Sequence, residues 1–272
     1  MTMKIIESTS NPIIKKALSL HMRKNRKKHQ QFLLEGMRGI QDMLSEASQI
    51  DIILYEKRIA SLPGGESLIL KWKEAGIKSA QVSENIMKKI AETQTPQGVL
   101  AIVDLPGYDF NEIIRDSHYV LLLDEIQDPG NMGTLIRSAE AAGFDAVIMT
   151  PGCTDPFSTK CIRAATGAVL HIPVFELKST EEAWEKLRQN QYRILGAALE
   201  DGKAYTMETY EPPLVLIIGN EARGINSTLQ AQMDGAITIP MKGKTQSLNA
   251  AIAGSVLMFH VAAACREDET MV

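Results

Sequence analysis

The chain has 272 residues, 44% hydrophobic and 23% charged, which is ordinary for a soluble globular protein and long enough for two compact domains. A formal net charge of −4 argues against a protein that coats nucleic acid, and no apolar stretch reaches membrane-spanning length, so no membrane partner is expected. Cys153, Cys161 and Cys265 are too few for a disulfide framework, form no C-x-x-C pair for zinc and follow an N-terminus without a signal-peptide core, so a cytoplasmic protein with reduced thiols is expected.

Residues 1 to 30 carry Lys4, Lys15, Lys16, Arg23, Lys24, Arg26, Lys27 and Lys28 against Glu7 alone, with His21 and His29 among them. Such a cluster can release counterions from a phosphate backbone, and a solvated helix end accounts for the same charges equally well. Ile13, Ile14, Ala17, Leu18 and His21 recur at helical spacing and predict one amphipathic helix from Asn11 to Lys28, with Pro12 at its first position. Phe32-Leu33-Leu34 is a short apolar run, followed by a helix over Met37 to Leu44 and a strand over Ile50 to Tyr55. After the turn Pro63-Gly64-Gly65 come a helix (Ser67 to Ala75), a strand (Ile77 to Val82), a helix (Glu84 to Ile90) and a strand (Gly98 to Val103).

Asp104-Leu105-Pro106-Gly107 interrupts this pattern and predicts a linker, dividing the chain into residues 1–104 and 105–272. Beyond it, Tyr119 to Leu123 is a continuous apolar run of the kind buried on both faces of a sheet. A helix (Thr134 to Ala142), a strand (Ala146 to Met149), a short helix (Ser158 to Arg163), a strand (Ile172 to Phe175) and a helix (Glu181 to Gln189) follow. Strands over Arg193 to Ala197, Leu214 to Ile218 and Ala236 to Ile239 precede a final helix from Asn249 to Ala264. Strands alternating with helices imply a parallel α/β sheet covered on both faces. The final helix is apolar nearly all round, which predicts deep burial.

Three loops in this second half follow apolar strands, on the side of an open α/β sheet where ligands bind. The first runs from Asp124 to Arg137, with Asn131 as the expected helix N-cap and Arg137 almost two turns beyond it. A capped helix bearing a surface arginine would look the same. The second, Gly219-Asn220-Glu221-Ala222-Arg223-Gly224-Ile225, lacks the Lys-Ser/Thr ending of a phosphate-binding loop and by itself reads as a tight strand-to-helix turn. The third runs from Ile239-Pro240-Met241 through Lys242-Gly243-Lys244 to Ser247-Leu248-Asn249, where Ser247 or Asn249 can cap the last helix. No G-x-G-x-x-G opens a helix, so nucleotide hydrolysis and a dinucleotide fold both lose support.

Taken together, Asn131 with Arg137, Gly219-Asn220-Glu221 with Gly224-Ile225, and Ile239-Pro240-Met241 with Ser247-Leu248-Asn249 resemble the three ordered motifs of the SpoU (TrmH-like) family of RNA 2′-O-ribose methyltransferases. Phe32-Leu33-Leu34-Glu35-Gly36 and Thr93-Gln94-Thr95-Pro96-Gln97-Gly98 are similar to that family's substrate-binding module. The resemblance implies a trefoil-knotted parallel-sheet methyltransferase domain preceded by a smaller α/β RNA-binding domain. It implies S-adenosylmethionine as cofactor, held by Gly219, Ile239, Met241, Leu248 and the strand end at Ala197, where the family often has a polar residue. Arg137, Asn131, Glu221, Ser247 and Asn249 would form the reacting end: Asn131 orienting Arg137 or the RNA, Glu221 organising its loop. Lys15, Arg23, Lys24, Arg26, Lys27 and Lys28 would meet RNA. A homodimer is implied, with Arg137 acting in its own site or across the interface.

Methyl transfer needs the ribose oxygen in line with the sulfonium methyl and relieved of its proton. A guanidinium stays protonated in water. Either Arg137 is deprotonated in a dry pocket, or it remains charged and holds an RNA phosphate that takes the proton; the second is preferred for its bidentate geometry. The expected substrate is structured RNA, 23S ribosomal ahead of transfer RNA. A non-catalytic RNA-binding protein of the same fold and a small-molecule enzyme on a doubly wound sheet are the rivals.

Overall fold

The structure, a computed structural model, describes residues 5–245 and 247–269, with the side chains of 180, 182, 183 and 265–269 also outside the description. Lys4 and the Cys265 side chain therefore lie outside the described residues. The chain divides into two compact units, one running to Gly107 and including Phe157–Ile162, the other comprising Tyr108–Pro156 and the chain from Arg163 onward. The stretch expected as a linker closes the first unit, and a segment of the second half returns to it.

The first unit contains α1 (Pro12–Ser19), α2 (Arg23–His29), β1 (Gln31–Glu35), α3 (Met37–Asp42), β2 (Ile50–Tyr55), α4 (Gly65–Glu74), β3 (Ser79–Gln81), α5 (Glu84–Ile90) and β4 (Val99–Asp104). Its sheet runs β1-β4-β2-β3, with β4 antiparallel to both neighbours and β3 parallel to β2. Ile14, Ala17 and Leu20 pack with Ile86 and Met87 against Leu33, Leu54, Leu100 and Ile102. The two stretches similar to the substrate-binding module meet here. The Glu35 carboxylate accepts from Thr93 Oγ1 and from Glu92 N, and Gln97 Oε1 accepts from Met37 N at 2.9 Å.

Helical periodicity predicts one helix over Asn11 to Lys28, but the structure breaks it between Ser19 and Arg23. Side chains replace the missing amides: Asn25 Nδ2 donates to Ser19 O at 2.9 Å, and Arg26 Nη1 donates to Leu20 O at 2.7 Å and His21 O at 2.9 Å. Arg26 is only 6% exposed. It serves the break, not an RNA surface, and so leaves the expected contact set. Lys15, Lys24, Lys27 and Lys28 remain exposed and Arg23 half-buried. Arg26→Ala would strand buried carbonyls, and we expect the chain to lose about 2 kcal/mol of stability, read as a lower urea midpoint.

The second unit contains α6 (Phe110–Asp116), β5 (Tyr119–Leu123), α7 (Pro129–Ala142), β6 (Ala146–Met149), α8 (Thr159–Ala165), β7 (Val174–Glu176) and α9 (Thr180–Gln189). The start of α8 belongs to the first unit. There follow β8 (Arg193–Ala197), β9 (Lys203–Ala204), β10 (Leu214–Ile218), α10 (Ser227–Gln230), β11 (Gly235–Thr238) and α11 (Ala250–Glu269). All seven strands are parallel, in the order β7-β6-β5-β10-β8-β11-β9. Continuous apolar runs in β5 and β10 suit a centre covered on both faces. Leu122, Ile194, Ile217, Trp184 and Leu187 fill one side.

On the other side α7 and α11 lie close: Ser138 Oγ and Ser255 Oγ are 2.7 Å apart, and a Cβ on Gly254 would sit 2.4 Å from Leu135 Cδ2. The expected deep burial of the last helix is only half right. Ala251, Leu257, Met258 and Val261 are buried, while Ile252 (54%), Val256 (38%) and Phe259 (51%) form an exposed apolar stripe. Among the described residues, no helix is long and apolar enough to cross a membrane and no His/Cys/Asp/Glu group could hold a metal.

Candidate functional site

The carboxyl ends of β8, β10 and β11 open into a cavity of about 550 Å³, walled by residues of the three loops that follow them and by Ala250, Ala253 and Leu257 of α11. The loop after β10 folds back sharply. Asn220 N donates to Gly224 O at 3.0 Å and Gly224 N to Asn220 O at 2.9 Å. Gly224 has a φ of 70°, the left-handed region open to glycine. Gly219 is equally constrained, because a Cβ there would lie 2.4 Å from the Gly224 carbonyl carbon.

Asn220 holds this turn together. It is buried, with Oδ1 accepting from Ala222 N at 3.0 Å and Arg223 N at 3.2 Å, while Nδ2 donates to Glu125 O at 2.9 Å. Sequence reasoning gave the organising role to Glu221 and overlooked Asn220. The available signal was an Asn immediately past a strand end in a Gly-bounded turn. The structure instead turns Glu221 outward, where its Oε1 accepts from Asn131 Nδ2 at 2.5 Å.

Asn131 is not the N-cap of α7. Asp128 is, accepting from Asn131 N at 2.8 Å through Oδ1, with Pro129 in the first turn. The Asn131 side chain is thereby released to bridge, and its Oδ1 accepts from Asn249 Nδ2 at 3.0 Å. Asn249 caps α11, its own Oδ1 accepting from Ala251 N at 2.9 Å and Ile252 N at 3.3 Å. Since Asn249 Oδ1 is spent on amides, its NH₂ must donate to Asn131 Oδ1, leaving the Asn131 NH₂ to donate to Glu221 Oε1. Every polar role in the row is fixed in direction.

All five residues expected to hold a cofactor, Ala197, Gly219, Ile239, Met241 and Leu248, line the cavity together with Glu221 and Ser247. Sequence reasoning missed Leu199, Glu200, Asp201, Met233 and Thr238 on the same wall. Ile218, Ile239, Leu248 and Leu257 make an apolar slot, while Glu200, Asp201 and Glu221 add carboxylates. The one cation among the described lining residues, Arg223, is paired with Glu125 at 2.6 Å. An apolar slot with net negative lining fits a purine carrying a sulfonium and an ammonium.

Arg137 stands apart. It does not line the cavity, is exposed on α7, and does not bond Asn131; its Nη1 donates to Thr166 Oγ1 at 3.2 Å. Cys153 and Cys161 are buried thiols, and burial pushes the Cys153 thiol up to about 11, so it stays protonated near neutral pH.

A model of the SpoU rRNA Methylase family matches residues 118–259, and one of the MRM3-like substrate binding domain matches residues 11–101. The 23S rRNA (guanosine(2553)-2′-O)-methyltransferase RlmP of Bacillus subtilis is 34% identical over 95% of this chain and 99% of its own. The 23S rRNA (uridine(2479)-2′-O)-methyltransferase of Streptomyces viridochromogenes is 26% identical, over 87% of this chain and 84% of its own. The crystal structure of an AdoMet-bound rRNA methyltransferase from Sinorhizobium meliloti superposes with a TM-score of 0.84 at 29% identity, covering 96% of this chain and 97% of that one.

Proposed function

This chain belongs to the SpoU rRNA methylase family, and we propose that it transfers a methyl group from S-adenosylmethionine to a ribose 2′-hydroxyl of 23S ribosomal RNA. The observation that carries the reading is the cavity at the carboxyl ends of β8, β10 and β11. All five expected cofactor residues wall it, and at Glu221 it joins the row through Asn131 to Asn249. Bound there, S-adenosylmethionine supplies an electrophilic methyl group on a sulfonium. Ile218, Ile239 and Leu248 exclude water around it, and Glu200 and Asp201 favour its net positive charge over the neutral product. Glu221 and Ser247, at the wall, accept hydrogen bonds from the ribose and its neighbours.

Arg137 holds an RNA phosphate beside the reacting hydroxyl through its guanidinium fork, and that phosphate takes the hydroxyl proton. Because Arg137 lies off the wall of its own cavity, it completes the site of a second subunit in a homodimer. The exposed stripe Ile252, Val256 and Phe259, on the helix that packs against α7, supports this arrangement. The loops after β8, β10 and β11 converge on one cavity, as expected where the chain threads a trefoil knot. Lys15, Lys24, Lys27 and Lys28 on α1 and α2 give the first unit exposed cations for RNA, and a ribosomal substrate is consistent with a cytoplasmic enzyme.

The test is transfer of labelled methyl from S-adenosylmethionine to unmodified 23S and transfer RNA, followed by nucleoside digestion. Label in one 2′-O-methylated nucleoside of 23S RNA is the expected result. Label on transfer RNA would reassign the substrate, and cofactor binding without transfer to either RNA would favour a non-catalytic RNA-binding protein.

A further inference from the structure

We propose that Thr166 is a positioning residue for Arg137, holding the guanidinium so that one edge stays open to an oxyanion. The inference rests on the reading of Arg137 as the RNA-phosphate contact. Among the described residues, the hydrogen bond from Arg137 Nη1 to Thr166 Oγ1, at 3.2 Å, is the one that fixes this exposed side chain. It engages a single Nη and leaves the Nε–Nη2 edge, the side that meets phosphate with two parallel bonds. A long arginine without such a tether would spread over many rotamers and reach the phosphate at an entropic disadvantage.

The backbone at Thr166 argues that the hydroxyl is retained for this contact. Thr166 closes the turn after α8, its N donating to Arg163 O at 3.1 Å, with φ at 51°. That left-handed conformation is strongly disfavoured for a β-branched residue, and glycine or asparagine would adopt it with less strain. Gly167 follows at φ 87° and opens the short turn Ala168–Leu170, whose Ala168 and Val169 are buried. Anchored on both sides, Thr166 presents Oγ1 to Arg137 from a fixed point. Strain held by surrounding packing at such a point is characteristic of functional sites.

The experiment uses the full chain with S-adenosylmethionine and 23S RNA, comparing Thr166→Ser, Thr166→Val and Thr166→Gly with the parent and with Arg137→Ala. Thr166→Val, which keeps the shape and loses the hydroxyl, should lower kcat about tenfold with the cofactor dissociation constant unchanged. Thr166→Ser should restore the rate. Thr166→Gly should raise Tm while losing rate like the valine variant, an opposition that a purely structural threonine would not produce. On an Arg137→Ala background, Thr166→Val should cost nothing further. Full activity of Thr166→Val beside an inactive Arg137→Ala overturns the inference and leaves the Arg137 reading intact. An equal added loss on the Arg137→Ala background also overturns it. Full activity of Arg137→Ala itself overturns the underlying reading, and this one with it.

Discussion

Arg137→Ala should lower kcat for RNA methylation by about 10³-fold, while the dissociation constant for S-adenosylmethionine stays within about twofold of the parent. The two halves of that expectation come from different observations. The rate loss follows from removing the charged group that holds the phosphate receiving the ribose proton. The unchanged cofactor affinity follows from position, since Arg137 does not line the cavity. Arg137→Lys separates charge from shape. Lysine keeps the positive charge and loses the planar fork, so an intermediate rate is expected, and near-full activity would sink the bidentate role. Parallel loss of cofactor binding in Arg137→Ala would instead mean that the arginine supports the cavity wall.

Gly219→Ala should weaken S-adenosylmethionine binding about 100-fold, or roughly 2.7 kcal/mol, measured by titration calorimetry. The added Cβ would meet the Gly224 carbonyl carbon at 2.4 Å, Ile225 N at 2.5 Å and Gly224 O at 2.6 Å. These are main-chain atoms, so no side-chain rotation relieves the clash. The fold-back must open, which breaks the paired bonds between Asn220 and Gly224 and displaces the wall that Gly219 to Ile225 provide. A parent-like dissociation constant in this variant would show that the cofactor binds elsewhere.

Sequence patterning was most informative where burial is continuous. The runs over β5 and β10 announced the sheet centre, and the loops after β10 and β11 were singled out and do wall the cavity, whereas the loop after β5 lies off that wall and the loop after β8 went unread beyond Ala197. It failed where side chains take over backbone work. The break after Ser19 depends on Arg26 and Asn25 reaching back to three carbonyls, which no periodicity encodes. Asp128 took the cap expected of Asn131: both are good caps, and Pro129, suited to the first helical position, sets the helix start directly after Asp128. The apolar residues of α11 declared a buried helix without declaring which face lacked cover. The short α6 went unnoticed between a proline-glycine stretch and the first strand of the second unit. The tether on Arg137 was invisible because Thr166 lies 29 positions away, in a backbone conformation that its side chain disfavours.

The fixed direction of the row Glu221–Asn131–Asn249 constrains what can be inherited at these sites. Each member presents to its neighbour the complement of what it receives. An aspartate in place of Asn131 would set two carboxylates face to face, and an aspartate in place of Asn249 would turn an acceptor toward an acceptor. The three codons therefore drift as one unit: a tolerated change at any of them narrows the residues admissible at the other two. Lineages of this protein should differ at these positions in concert or not at all.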